Sequence, residues 1–222
     1  LYRTSFLQTL FSNLRASCIA FLFGSFNGAL SYTLFGFLNI YLSRYLELPL
    51  SEALHYNLYG LAAFMVGSPV MGYLYDINGR SRFLISAILA IFCSALPIFI
   101  LFTTRSVAAI LLGQFLFGLA VASIAGTGHA VMQELFPVRD RYRGIAFNFS
   151  LGMGLFGGIT PIIYVEMIER YQMNILFPAY FLMGSAFLFG LALTFLQLFQ
   201  KSASVSSLEC VYTDPVSKLV VE

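Results

Sequence analysis

Charged side chains punctuate this sequence at long intervals. Between them lie six runs without Asp, Glu, Lys or Arg: 16–43, 53–75, 83–104, 106–133, 144–165 and 171–200, each roughly 22 to 30 residues long. An α-helix rises about 1.5 Å per residue and a bilayer's hydrocarbon core is about 30 Å thick, so about twenty apolar residues span it. A charge at the bilayer centre costs about 2.5–3.5 kcal/mol on insertion scales, which confines spans to stretches that lack one. Membrane-spanning strands would show alternating segments of about ten residues, and no such alternation is present. The pattern predicts an all-α membrane protein, a six-helix transmembrane bundle.

The links are short, at 44–52, 76–82, Arg105, 134–143 and 166–170, so successive helices run antiparallel and both termini return to one side. Nine of the twelve Lys and Arg fall on that side: Arg3, Arg15, Arg80, Arg82, Arg139, Arg141, Arg143, Lys201 and Lys218. Arg44, Arg105 and Arg170 lie opposite. The positive-inside rule then puts both termini in the cytoplasm. Three segments follow. Residues 1–15 carry Phe6, Leu7, Leu10, Phe11 and Leu14 at helical spacing and are expected to lie along the cytoplasmic interface. Residues 16–200 form the membrane domain. Residues 201–222, Ser-rich and broken at Asp214-Pro215, are expected to be a mostly disordered cytoplasmic tail. The opening lacks the layout of a cleaved signal peptide, and the expectation is of a chain that starts partway through a longer one. Tyr41, Tyr45, Tyr56, Tyr73, Tyr75, Tyr164 and Tyr171, near predicted helix ends, are expected to supply the interfacial aromatic belt in the absence of Trp.

Composition sharpens this. The chain of 222 residues is 59% apolar and 10% charged, with a net charge of +2, against about 25% charged for an ordinary soluble domain. Its few basic residues form no stripe, so nucleic acid is excluded as a partner. Cys18, Cys93 and Cys210 lie far apart and form neither a CxxC pair nor a disulfide framework. No HExxH, nucleophile elbow or P-loop is present, so neither enzyme chemistry, a metal nor a cofactor is expected.

Within the spans, Gly24-x-x-x-Gly28 and Gly154-x-x-x-Gly158 are expected to let helix backbones approach closely, with Gly126, Gly128 and Gly152 extending the small-residue surface. Pro69, Pro97 and Pro161 each remove a helix hydrogen bond, and Pro161, after Gly157-Gly158, is the strongest hinge candidate. Polar mid-span residues are few. Asn27, Tyr32, Gln114, Asn148 and Ser150 are the candidates for a polar path that takes an uncharged or zwitterionic solute, with interhelical bonding as the competing role. No charged side chain lies mid-span, and His129 is the one deep histidine, a candidate for proton handling.

Two loops add sharper signals. The stretch Gly72-Tyr-Leu-Tyr-Asp76-Ile-Asn-Gly79-Arg80-Ser-Arg82 resembles the G-x-x-x-D-[RK]-x-G-R-[RK] loop of the major facilitator superfamily, with Ile77 departing from the usual basic residue. The stretch from Glu134 through Pro137, Arg139, Arg141 and Tyr142 to Gly144, followed by Phe156-Gly157-Gly158-Ile-Thr-Pro161, resembles the metabolite:proton symporter branch, the proline/betaine transporter type. There an Asn falls six residues before that Phe; here Ser150 holds the place and Asn148 lies two earlier. The resemblance covers about residues 16–200 and implies helices seven to twelve, half of a twelve-helix major facilitator fold. It implies proton-coupled symport of a small organic solute by alternating access, and partnership with an N-terminal six-helix half outside this chain, which Asp76 would contact. A bacterial inner membrane is the implied location. Carriers of another branch, for drugs or sugars and in either direction, and an inactive split half-carrier remain the alternatives.

Overall fold

The computed structural model describes residues 13–136, 138 and 141–194. The segment before Asn13, the tail, Pro137 and Arg139 lie outside the described residues. Six helices are long and apolar enough to cross a membrane: α1 (Leu14–Tyr45), α2 (Leu50–Ile77), α3 (Arg80–Thr103), α4 (Val107–Leu135), α5 (Arg141–Glu169) and α6 (Phe177–Thr194). No strand occurs among the described residues.

The helices overrun the uncharged runs at most ends. Arg44, Glu52, Arg80, Arg82, Glu134, Arg141 and Glu169 all sit in terminal turns, where long side chains place their charge beyond the apolar slab. α6 departs in the other direction and starts at Phe177 rather than Tyr171. The Asn174 carboxamide oxygen accepts the Leu176 backbone N–H at 2.9 Å, and Pro178 occupies the second helical position, where its missing N–H costs nothing. Between α3 and α4 the chain reverses at Arg105, whose φ of 54° is a left-handed helix stop.

Two close helix pairs organise the bundle. α1 runs along α5, and a Cβ on Gly24 or Gly28 would strike the backbone of Phe149 or Met153 respectively. α2 runs along α4, where a Cβ on Gly118 or Gly126 would strike the backbone of Gly60 or Ser68. Each pair advances in register along both chains, so the partners are parallel, which the alternating direction of successive helices requires. Hydrocarbon supplies no hydrophobic drive between helices, so contact at backbone distance is what holds them. The first helix of each three-helix set thus lies along the second helix of the other. α1 and α4 are the most buried spans and α2 and α5 the most open. α6 packs on α1 through Phe189, stacked 4.9 Å from Phe26 and edge-on to Phe23 at 5.5 Å.

One expectation about the glycines needs correction. A side chain at Gly154 or Gly158 would meet nothing within 4 Å, whereas one at Gly152 would strike Phe21 and Ser25 and one at Gly157 would strike Tyr32 and Gly28. A π-helical turn over Met153–Gly157 explains the change. It inserts one extra residue per turn, so a four-residue spacing across it no longer marks a single face. The tyrosine belt is also corrected. Tyr41, Tyr75 and Tyr164 are buried core residues, and only Tyr73 and Tyr171 of the seven are well exposed, at 66% and 61%.

Gly152→Ala is expected to destabilise the protein by about 1–3 kcal/mol, because the new methyl meets backbone, whereas Gly154→Ala is expected to be neutral or stabilising by up to about 1 kcal/mol. Thermal unfolding in detergent micelles measures both.

Candidate functional site

The two loop motifs meet at one end of the bundle. Gly79, with φ 82°, starts α3 in a conformation open to glycine and strained for other residues. That turn aims Arg80 at Glu134 on the last turn of α4, and the two form an ion pair. Both side chains are about half exposed, so the pair is worth about 0–1 kcal/mol and fixes loop geometry more than stability. Beneath it, the buried Tyr75 ring stands edge-on to Phe83 at 6.0 Å. Gly72 backs onto the Gly126 carbonyl, and a Cβ there would sit 3.4 Å away. Gly144 is buried under the Phe136 ring. Asp76 and Arg82 are exposed and make no ion pair among the described residues. Arg141 donates to the Phe136 carbonyl at 3.4 Å.

The opposite end is clamped in parallel fashion. Arg44 pairs with Glu169 at 2.9 Å, and Tyr45 donates to the same carboxylate at 3.0 Å, tying α1 to α5. Arg105 pairs with Glu47 at 3.5 Å.

Between the ends lie the mid-span polar groups. Tyr32 extends the Gly24–Gly28 seam by one turn and lays its ring over Gly157, remaining 40% exposed. Asn27 is buried and its Oδ1 has no hydrogen-bond partner. It shares a helix face with Phe23, which meets Gly128 of α4, and Leu34, which meets Gly60 of α2. Asn27 therefore points to the junction of α1, α2 and α4. Gln114 is fully buried in the space left by Gly60, and neither its Nε2 nor its Oε1 has a partner. Asn57, one turn before Gly60, is also buried with an unpartnered Oδ1. Sequence reading passed over Asn57 because it falls near the start of its uncharged run. Its signal was an amide within one turn of a glycine. Asn148 is satisfied within its own helix, donating from Nδ2 to the Gly144 carbonyl at 2.8 Å. Ser150 is exposed on α5. His129 is exposed on α4 with its ring 6.0 Å from that of Phe149.

A second feature escaped sequence reading. α1 also contains π-helical turns, at Thr33–Phe37 and Tyr41–Tyr45. Thr33 donates its hydroxyl to the Ala29 carbonyl at 2.6 Å. Its oxygen then accepts from the Tyr164 hydroxyl at 3.2 Å, a fully buried link between α1 and α5. In α5, Pro161 leaves the Gly157 carbonyl, at the end of the π turn, without its usual donor. Both helices of this pair therefore depart from regular α-helical hydrogen bonding within their length.

The profile of the Major Facilitator Superfamily matches residues 20–209. The chain belongs to that superfamily. Among its relatives, the glycine betaine/proline/ectoine/pipecolic acid transporter OusA of Dickeya dadantii is 32% identical over 150 residues, which are 64% of this chain and 30% of that protein. The proline/betaine transporter of Escherichia coli is 31% identical over 150 residues, again 64% of this chain and 30% of that protein. This chain therefore aligns with under a third of the curated relatives' length. The crystal structure of a D-xylose-proton symporter superposes with a TM-score of 0.54 at 17% identity, covering 98% of this chain and 55% of that one. That likeness establishes the fold of a major facilitator bundle of six helices.

Gln114→Leu removes two buried, unpartnered amide atoms. Leaving such groups unsatisfied costs about 1–3 kcal/mol, so the substitution is expected to raise thermal stability in detergent. A fall on unfolding would assign Gln114 a structural hydrogen bond instead.

Proposed function

We propose that this chain is the C-terminal half, helices seven to twelve, of a proton-coupled symporter that moves a small zwitterionic or organic solute inward by alternating access. The observation that carries the reading is the alignment of this facilitator bundle with relatives named as proline/betaine transporters. Buried amides support it. Asn27, Asn57 and Gln114 retain unused hydrogen-bonding capacity inside a nearly charge-free bundle, a cost that a polar solute would offset when it supplies the missing partners.

In this reading Asn27, Tyr32 and Gln114 contribute to the solute path, with Asn148 and Ser150 at its α5 border. Tyr32 and the Met153–Gly157 π turn facing it, with Gly158 and Pro161, form the bending region. The loop residues Gly72, Asp76, Gly79, Arg80, Arg82, Glu134, Pro137, Arg139, Arg141 and Gly144 control how one end opens. An ion pair of marginal strength, such as Arg80–Glu134, suits a contact that must break and re-form each cycle. His129 is the proton-handling candidate of this half. The exposed apolar faces of α2, with Tyr59 and Met65, and of α5, with Ile159 and Ile162, take the N-terminal half as their partner. Residues 1–15 lie on the cytoplasmic interface, 16–200 form the membrane domain and 201–222 a cytoplasmic tail. Both termini face the cytoplasm of a bacterial inner membrane.

The intact carrier in liposomes is expected to accumulate radiolabelled proline or glycine betaine when the lumen is made alkaline, and to lose uptake with an uncoupler. Absence of uptake across a panel of zwitterions and carboxylates contradicts the assignment. In a cysteine-free background, Ser81→Cys and Tyr142→Cys are expected to react with an impermeant maleimide only from the cytoplasm, and Arg105→Cys only from outside. Labelling of Ser81→Cys and Tyr142→Cys from opposite sides overturns the topology.

A further inference from the structure

The bundle carries a groove between α3 and α6, lined by none of the residues proposed for the solute path. It has a volume of ≈ 380 Å³ and is walled by Ile85, Leu89 and Phe92 on one side and by Ala186, Phe187 and Gly190 on the other. The groove exists because α6 presents two small residues, one turn apart, to α3. Leu89 and Phe187 are more than half exposed, at 59% and 55%, so it opens outward to the surrounding medium. In a membrane protein that medium is lipid.

Three observations define what fits. The lining is apolar, and the one hydroxyl at its edge, on Thr194, is already used by the Gly190 and Leu191 carbonyls at 3.1 and 2.9 Å. The Phe92 and Phe187 rings, 6.3 Å between centroids, close one end. At the other end stands Arg82, in line with Ile85, Leu89 and Phe92 at spacings of three, seven and ten, and therefore on the same helix face. Arg82 is exposed and makes no ion pair among the described residues, whereas Arg80 beside it is paired with Glu134. From Arg82 to Phe92 the helix rises about 15 Å, half of the roughly 30 Å hydrocarbon thickness. Counted from Arg82, one turn beyond the lining at Ile85, to the aromatic floor at Phe92, this length matches the depth of one leaflet.

We propose that this groove binds one acyl chain of an anionic phospholipid whose phosphate is held by Arg82. A guanidinium forks onto phosphate oxygens through two charge-assisted hydrogen bonds, which a zwitterionic head group answers less well because its own ammonium competes. The chain lies between the exposed Leu89 and Phe187 side chains and contributes packing that two bare helices cannot make.

Native mass spectrometry of the delipidated full chain tests this with palmitoyl-oleoyl phosphatidylglycerol, phosphatidylcholine of the same chains, and glycerol phosphate as a chain-free anion. Phosphatidylglycerol is expected to bind about tenfold more tightly than phosphatidylcholine, in line with a hydrogen bond to a charged group. Arg82→Gln is expected to abolish that preference while both lipids still bind. Gly190→Leu, which fills the groove, is expected to weaken both, and Ile85→Trp on the exposed wall provides the same test should Gly190→Leu fail to fold. The proposal is overturned by equal affinity for the two lipids, by a preference that survives Arg82→Gln, by full competition from glycerol phosphate, or by a dimer that phosphatidylglycerol does not displace.

Discussion

Contact at backbone distance between parallel helices is the interaction on which this structure rests. Surrounded by hydrocarbon, an apolar side chain gains little by leaving lipid for protein, so the helices are held where small residues let main chains touch. Gly24, Gly28 and Gly152 set α1 against α5, and Gly118 and Gly126 set α2 against α4. Everything else is placed by these seams. The reciprocal pairing of the two three-helix sets buries α1 and α4 and leaves α2 and α5 open.

The seams also explain where irregularity is tolerated. π turns in α1 and α5 fall on two helices in backbone contact, and Tyr164 and Thr33 bridge them with a buried hydrogen bond. Ion pairs mark both ends of the bundle, Arg80–Glu134 at one and Arg44–Glu169 at the other. These pairs are exposed and weak, whereas the glycine contacts are buried and unforgiving. The bundle is thus held along its seams and only loosely fastened at its ends.

Much of this was legible in the sequence because one cost dominates it. The free energy of placing Arg or Asp in hydrocarbon exceeds other local preferences, so gaps between charges located all six spans, and the motif around Arg80 and that around Glu134 pointed to the superfamily. What stayed hidden depends on azimuth rather than depth. A four-residue glycine spacing identified Gly154 and Gly158, yet the π turn rotates the contact onto Gly152 and Gly157. Tyrosines near span ends read as a belt, but three face the core, since depth along the chain says nothing of which side a residue faces. Gln114 fits against α2 only because Gly60 carries no side chain there, a fact of tertiary packing. The roles of the path residues and of Pro137 and Arg139, which lie outside the described residues, stay with the proposal.

The central claim is that the open faces of α2 and α5 belong against another half of a carrier. The most direct measurement compares alkylation of Tyr59→Cys and Ile162→Cys in detergent between this chain alone and the intact carrier, with Leu89→Cys on α3 as the lipid-facing reference. The account predicts that both cysteines become at least tenfold less reactive in the intact carrier while Leu89→Cys is unchanged, a tenfold change being about 1.4 kcal/mol of protection. Equal reactivity of Tyr59→Cys and Ile162→Cys in the two forms would contradict it.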